Sequence, residues 1–331
     1  MRLATINAPG QLPTPVVIMP DGWPAAFKHI ADELKIPDFD QMVFRSDMKM
    51  ALHPRFEVIR MVQHWYDNHE KNRYAAEFKT KAIFGNVFVF LPPVYPFSFR
   101  DFYAFEQHVK TCREKRGAKV APEWYEQPVF YFSNPGSLIG HAAEVCAPFG
   151  CNELDYELEL GVIIGKGGKN ISSENAWEHI AGFTIINDFS ARDLQRKEMA
   201  VGLGPAKGKD FATGVGPYLV TLDEFQDRID KDGRVELAMC ARVNGKELSR
   251  GNAKTMHFTW PRIVAQASRD AELFPGDLIG SGTVGTGCIL ELGPENTGGW
   301  LKPGDVVELE IERLGVLRNK VVERNGGDRR N

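Results

Sequence analysis

No apolar run in this 331-residue chain approaches the roughly 18 residues that suggest a membrane-spanning helix. Met1-Arg2-Leu3 leads into mixed sequence, without the charged start and apolar stretch of a signal peptide. No membrane partner is expected, and a cytoplasmic address follows by default. Cysteine is scarce as well. Cys112, Cys146, Cys151, Cys240 and Cys288 are odd in number and scattered, and no CxxC pair occurs among them, so they read as reduced thiols with no zinc site. Charge of one sign is also missing: 40 basic and 44 acidic residues are well mixed, for a net charge of −4. Without a basic stripe to neutralise phosphates, nucleic acid is not an expected partner. Internal repeats and low-complexity segments are absent.

The length suits one large domain or two. Helical spacing covers 24–35, with Pro24 near its start, and a second helix is expected over 56–80. The apolar run that follows is broken by Pro92, Pro93 and Pro96, the best boundary signal in the chain. It divides a small N-terminal domain, 1–80, from a larger domain, 81–331. From about 81 onward the sequence is rich in short strands (VFYFS, YELELGVIIG, HIAGFTIIND, GPYLVTL, VELAMCARVNG, DLIGSGTVG, CILELG and DVVELEIERLG) separated by Gly, Asn and Asp. Helical patterns are few, chiefly 101–115, 174–179, 190–199 and 259–270. The pattern predicts a mainly β or α+β domain rather than a βαβ repeat. Asn244-Gly245 is a two-residue hairpin signal.

Acids are present in a spaced set. In an extended strand Glu157 and Glu159 share a face while Leu158 and Leu160 point away. Burying two like charges in an apolar stretch is expensive unless a cation or a proton neutralises them, and a hard divalent cation suits the oxygens. A solvated strand face is the plainer reading of the same pair. Asp188 ends a second strand, where it could bind the same ion or cap the helix that follows. His108 lies seven residues after Asp101 on an expected helix, about two turns away on the same side. Arg192 and Gln195, three apart, can converge on one point. The GPAKGKD loop offers Lys207 and Lys209 without the form of a nucleotide cradle. GSGTVG has the small residues that let backbone approach a ligand, or simply turn tightly. Glu291, acidic among the apolar residues of CILEL, needs a partner if buried.

In order, LDYELELGVIIG, INDFSARDLQ, GPAKGKDF, GSGTVGTGCILEL and WLKPGDVVELEIERLG resemble the fumarylacetoacetate hydrolase family, over roughly residues 81 to 320. The resemblance implies a mixed β-roll catalytic domain, a metal-dependent site at its mouth and a homodimer. The implied ligands are Asp101, Glu157, Glu159 and Asp188, with Mg²⁺ or Ca²⁺ as the ion. The DFYxxxxH pattern of the family's carbon–carbon bond hydrolases matches Asp101-Phe102-Tyr103 and His108. It implies water activated by His108, with Glu291 as its orienting partner. Arg192, Gln195 and Lys209 match the charge-stabilising residues, Thr283 a contact to the substrate carboxylate, and Tyr103 and Tyr131 the pocket wall.

The implied substrate is a small diketo or 2-oxo acid, first of all fumarylacetoacetate, cleaved to fumarate and acetoacetate in tyrosine catabolism. Within the family the alternatives are an acylpyruvate hydrolase, a 2-oxo-acid decarboxylase, or an isomerase or hydratase of aromatic degradation. From another class, a noncatalytic β-domain could use the acids for a structural cation. The chain departs from the animal fumarylacetoacetases in a shorter N-terminal region, in the loop from Gln195 to Lys209, and in a compressed stretch from Thr283 to Glu291. Those loops surround the pocket and set specificity. Arg113, Lys115 and Arg116 read either as anchors for a distal carboxylate or as a charged helix end.

Overall fold

The computed structural model describes residues 1–10, 12–35, 48–53, 57–68 and 88–324. In chain order its strands are β1 (Arg2–Asn7), β2 (Thr14–Ile18), β3 (Pro24–Ala26), β4 (Val89–Leu91), β5 (Phe99–Phe102), β6 (Phe130–Ser133), β7 (Leu138–Ile139), β8 (Glu144–Cys146) and β9 (Leu154–Asp155). There follow β10 (Leu158–Ile164), β11 (Ile180–Asp188), β12 (Ser190–Ala191), β13 (Thr213–Thr221), β14 (Ala238–Val243), β15 (Lys246–Asn252), β16 (Leu278–Thr283), β17 (Val306–Ile311) and β18 (Gly315–Val322). The large mixed sheet runs β3-β2-β1-β13-β11-β10-β16-β5-β6, with β4 and β7 at its sides, and a second sheet runs β15-β14-β17-β18-β8. The expected α+β, strand-rich architecture is the one observed.

The two faces of β10 bury different clusters, as a period of two requires. Leu158, Leu160, Val162 and Ile164 pack toward Met239, Ala241, Leu309 and Ile311 of the second sheet. Ile163 faces the other way and joins Phe99, Ile186 and Leu278 under Phe27, Ile30, Val62 and Trp65. Those four come from α1 (Phe27–Glu33) and α3 (Val58–Asn68); α2 (Met48–Leu52) completes this layer. Strands β1–β3, from the region expected to form a small N-terminal domain, are hydrogen-bonded into the large sheet, with Arg2 opposite Val220 and Leu3 opposite Leu219.

Several elements differ from expectation. Residues 24–26 form an edge strand on β2 rather than a helical turn, a position that tolerates the missing N–H of Pro24. The helix expected over 56–80 is observed over Val58–Asn68, and its later part lies outside the described residues. Asp101 and Phe102 belong to β5, and the helix α4 begins only at Glu106 and runs to Glu114. Pairing of Asp101 with Gly280 and Tyr131 in flanking strands overrides the helical pattern there. A short helix α5 (Glu123–Glu126) follows, then α6 (Arg192–Val201) and α7 (Trp260–Ala267). The apolar CILEL segment, expected as a strand, is the short helix α8 (Ile289–Leu292). Its first N–H groups, of Ile289 and Leu290, donate to the buried carboxylate of Asp155 at 2.8 and 3.0 Å, and Gly293 ends it at φ 86°. The Asn244-Gly245 turn is as expected: both residues have positive φ, and Val243 pairs with Lys246.

Candidate active site

The ends of four strands of the large sheet converge on one cavity of about 230 Å³. Alternation places Asp101 on the face of Phe99, Glu159 on the face of Ile163, and Asp188 on the face of Ile186. The three acids therefore continue the apolar layer beneath α1–α3 at the strand ends, and one ligand oxygen from each lies within 4.8 Å of the others. Gly280 of β16 makes room for them. A Cβ there would stand 2.3 Å from Asp101 Oδ1 and 3.1 Å from Glu159 Oε2.

Among the described residues, Asp101 and Glu159 are only partly compensated. Asp101 Oδ1 and Glu159 Oε2 are buried with no hydrogen-bond partner. Burial and then the Asp188 charge push the Asp101 carboxyl well up; burial and then the Asp101 and Asp188 charges do the same to Glu159. Two orphaned oxygens in an all-oxygen cradle fit a hard divalent cation. Asp188 is better provided for. Its Oδ2 accepts from Lys209 Nζ and Tyr131 Oη, both at 2.6 Å, and its Oδ1 from Thr213 at 3.3 Å. The helix-cap alternative for Asp188 fails, because the N-cap position of α6 is Ala191.

Glu157, just before β10, opens onto the same cavity as Glu159 but stands outside the three-acid cluster. Its carboxylate accepts from Arg192 Nη2 at 2.7 Å and from Lys209 Nζ at 2.5 Å. Burial alone would raise it, yet Lys209 and Arg192 outweigh burial and hold it far below the usual carboxylate range. Both cations are placed by local structure. Arg192 opens α6, with Nε on Asp155 at 2.9 Å and Nη1 on Gln195 Oε1 at 3.1 Å, the convergence expected from their spacing. The GPAKGKD loop is tied to α6 through the Ala206, Lys207 and Gly208 N–H groups, all donating to the Glu198 carboxylate. Gly208 abuts the Gln195 backbone, where a Cβ would come within 2.8 Å. Lys209 thus turns inward, while Lys207 stays outside on Asp210.

Across the cavity, α4 presents His108, whose Nδ1 lies 2.7 Å from Glu291 Oε2 of α8, with both residues buried. Tyr103 packs edge-on against the imidazole at 5.4 Å. Burial opposes charge on His108, but the Glu291 carboxylate and the hydrogen bonds to Cys288 and Glu291 raise its pKa to about 10. Thr283 Oγ1 donates to Glu159 at 3.3 Å.

Ten expected residues, Asp101, Tyr103, His108, Tyr131, Glu157, Glu159, Arg192, Gln195, Lys209 and Thr283, line the cavity. Asp188 and Glu291 stand just behind it. His108 and Asp101 meet there from a helix and a strand rather than from two turns of one helix. Arg113 and Arg116 reach the wall; Lys115 is not among its lining. Sequence reasoning missed Asp155, which joins Arg192 to the start of α8 and so sets the position of Glu291. The only signal was its place two residues before Glu157.

Residues 98–322 match the family described as fumarylacetoacetate (FAA) hydrolase C-terminal. The human mitochondrial oxaloacetate tautomerase FAHD2A is 38% identical over 199 residues, which is 60% of this chain and 60% of that protein. The 2,4-didehydro-3-deoxy-L-rhamnonate hydrolase of a Sphingomonas strain is 37% identical over 204 residues, 61% of this chain and 68% of that protein. The matches thus span about 60% of the length of the first of these relatives. Among solved structures, a putative HpcE protein from Mycobacterium smegmatis superimposes with a TM-score of 0.72 at 25% identity, over 98% of this chain and all of the other. The fumarylacetoacetate hydrolase of Exiguobacterium antarcticum does so with a TM-score of 0.68 at 24% identity and the same coverage, a likeness of fold. With residues 98–322, more than half of the chain, matched by that family, the chain belongs to the fumarylacetoacetate hydrolase family of enzymes.

Proposed function

We propose that this protein is a divalent-cation-dependent hydrolase of a carbon–carbon bond in a β-diketone acid, with fumarylacetoacetate as the first substrate to test. The observation that carries the reading is the buried His108–Glu291 pair facing a three-carboxylate cradle across one cavity. Mg²⁺ or Ca²⁺ held by Asp101, Glu159 and Asp188 would supply Lewis acidity toward the oxygens of a 1,3-dicarbonyl unit. Glu157, the fourth acid of the implied ligand set, is engaged by Lys209 and Arg192 and keeps both cations at the wall.

With Nδ1–H donated to Glu291, Nε2 of His108 is left to take a proton from water. Hydroxide adds to one carbonyl carbon, the adjacent carbon–carbon bond breaks, and its electron pair leaves as an enolate that recovers the proton from His108. His108 must be neutral to begin the cycle, and its raised pKa makes it a strong base once it is. Arg192, Gln195 and Lys209 bring donors and positive charge to the side where oxyanion charge develops. Thr283, Tyr103 and Tyr131 shape the space around the acid group of the substrate. The catalytic unit acts as a homodimer in the cytoplasm under this reading.

A second reading, keto–enol interconversion of oxaloacetate, is favoured by the 38% identity to the human tautomerase. It would use the same base without attack by water. Purified protein is assayed by ultraviolet absorbance on fumarylacetoacetate and on oxaloacetate, with EDTA, Mg²⁺ or Ca²⁺. Metal-dependent loss of the diketone chromophore supports the hydrolase, and turnover of oxaloacetate alone supports the tautomerase. His108→Ala is expected to lower kcat by about 10²–10⁴-fold while the cation still binds; near-normal kcat sinks the assignment of the base.

A further inference from the structure

The wall behind His108 holds two thiols that the proposed reaction does not use. Cys112, one turn along α4, places Sγ 3.8 Å from Nδ1 and 3.7 Å from Nε2 of His108. Cys288, just before α8, places Sγ 3.6 Å from Glu291 Oε2. All four side chains are buried, and ligand atoms of His108, Cys288 and Glu291 lie within 4.8 Å of one another. Cys112 lines the cavity, so this cluster is reached from the same opening as the acid cradle.

Zinc binds thiolate sulfur at about 2.3 Å and imidazole nitrogen or carboxylate oxygen at about 2.0–2.2 Å, so tetrahedral donors stand roughly 3.4–3.7 Å apart. The Cys288–Glu291 and Cys112–His108 separations are of that size. The 2.7 Å His108–Glu291 hydrogen bond must open for an ion to replace the proton between them. We propose that His108, Cys288 and Glu291, with Cys112 as fourth donor on the cavity side, form a second metal site selective for Zn²⁺ over Mg²⁺ and Ca²⁺, and that zinc bound there inhibits the enzyme.

Donor chemistry separates the two sites. Sulfur and imidazole select a soft or borderline ion, whereas the Asp101, Glu159 and Asp188 oxygens select a hard one. Zn²⁺ bound there takes Cys288 as the thiolate, its proton lost to solvent, Glu291 as the carboxylate, and His108 through Nδ1, whose proton passes to Nε2 or to solvent. The separation of these cysteines in the chain, 176 residues from Cys112 to Cys288, is why the spacing shows no zinc pattern.

Inhibition rests on the reading of His108 as the base; binding does not. The test therefore uses Co²⁺ as an optical stand-in for Zn²⁺, added to the full-length protein in saturating Mg²⁺. A near-ultraviolet thiolate-to-cobalt absorption is expected, chased by Zn²⁺, lost in Cys288→Ser, weakened in Cys112→Ser and retained in Cys240→Ser. Near-ultraviolet circular dichroism checks that each variant is folded. No thiolate absorption, or one that survives in folded Cys288→Ser, overturns the site. In turnover assays Cys288→Ser should need at least about tenfold more Zn²⁺ for half-inhibition, since even second-shell changes cost ~10–100-fold in metal affinity. Unchanged inhibition would overturn the inhibitory role. Failure to turn over any diketo or 2-oxo acid would count against the proposed activity and leave the cobalt result to decide the site.

Discussion

Glu157 and Glu159 stand two residues apart, both buried and both on one cavity, yet their surroundings push them in opposite directions. The Glu157 side carries its own counter-ions: Lys209 and Arg192 satisfy both oxygens, and Asp155 and Asp188 share those cations. On the Glu159 side, among the described residues, Thr283 donates to Glu159 and Lys209 reaches Asp188, but one oxygen of Glu159 and one of Asp101 are left without partners. The comparison separates a charge cluster completed by the chain from one that needs something added. A buried pair of acids in a sequence is thus ambiguous until the positions of the cations are known, and here, of the two, Glu157 is the one they reach.

Breaking the compensated side should have the largest effect. Lys209→Met leaves Glu157 and Asp188 short of a buried partner, and a loss of about 3–5 kcal/mol in unfolding free energy is expected from urea denaturation. The pair of substitutions Glu157→Gln and Glu159→Gln sharpens the contrast by sign. In EDTA at neutral pH, Glu157→Gln should cost about 1.5–3 kcal/mol, the usual worth of a hydrogen bond to a charged group, while Glu159→Gln should raise the melting temperature. Loss of stability in both would show that the two sides are equally compensated. Added Mg²⁺ should stabilise the parent by about 2.7 kcal/mol at one hundred times its Kd, and Glu159→Gln much less.

A further contrast concerns pH. The raised pKa of His108, about 10, means that its ion pair with Glu291 stabilises the folded state fully below the ordinary histidine pKa near 6.5. That contribution is lost as pH rises from there through about 10. Ion-free protein should lose stability over this window, and His108→Gln should flatten the profile; identical profiles would show that the pair adds nothing to folding.

Much of this site was legible because its residue types are chemically unusual in their context. Acids inside LDYELELGVIIG and at the end of GFTIIND announce a cost that something must meet, and DFYxxxxH with CILEL names a base and its partner. The strand-rich class was legible for a related reason, since short β-branched runs between Gly, Asn and Asp carry local preference. The errors fell where long-range contacts override that preference. The local pattern around Asp101 predicts a helix, yet Asp101 belongs to β5, because its neighbours in β16 and β6 supply the ladder hydrogen bonds. CILEL reads as a strand from its apolar run but is a helical turn, because Asp155, 134 residues from Ile289, caps its N–H groups.

The sequence by itself determined the chemistry on hand: which oxygens, nitrogens and sulfurs the chain owns, the alternation that turns the acids of β10 and β11 to one side, and the family pattern. Only the tertiary structure decided how those groups are paired. Whether a buried carboxylate is neutralised by Lys209, shared among three acids or held to an imidazole depends on separations of a few ångströms between residues tens to hundreds of positions apart. Electrostatic energy falls with that distance, and in a poorly screening interior it is large enough to reverse what burial alone would do.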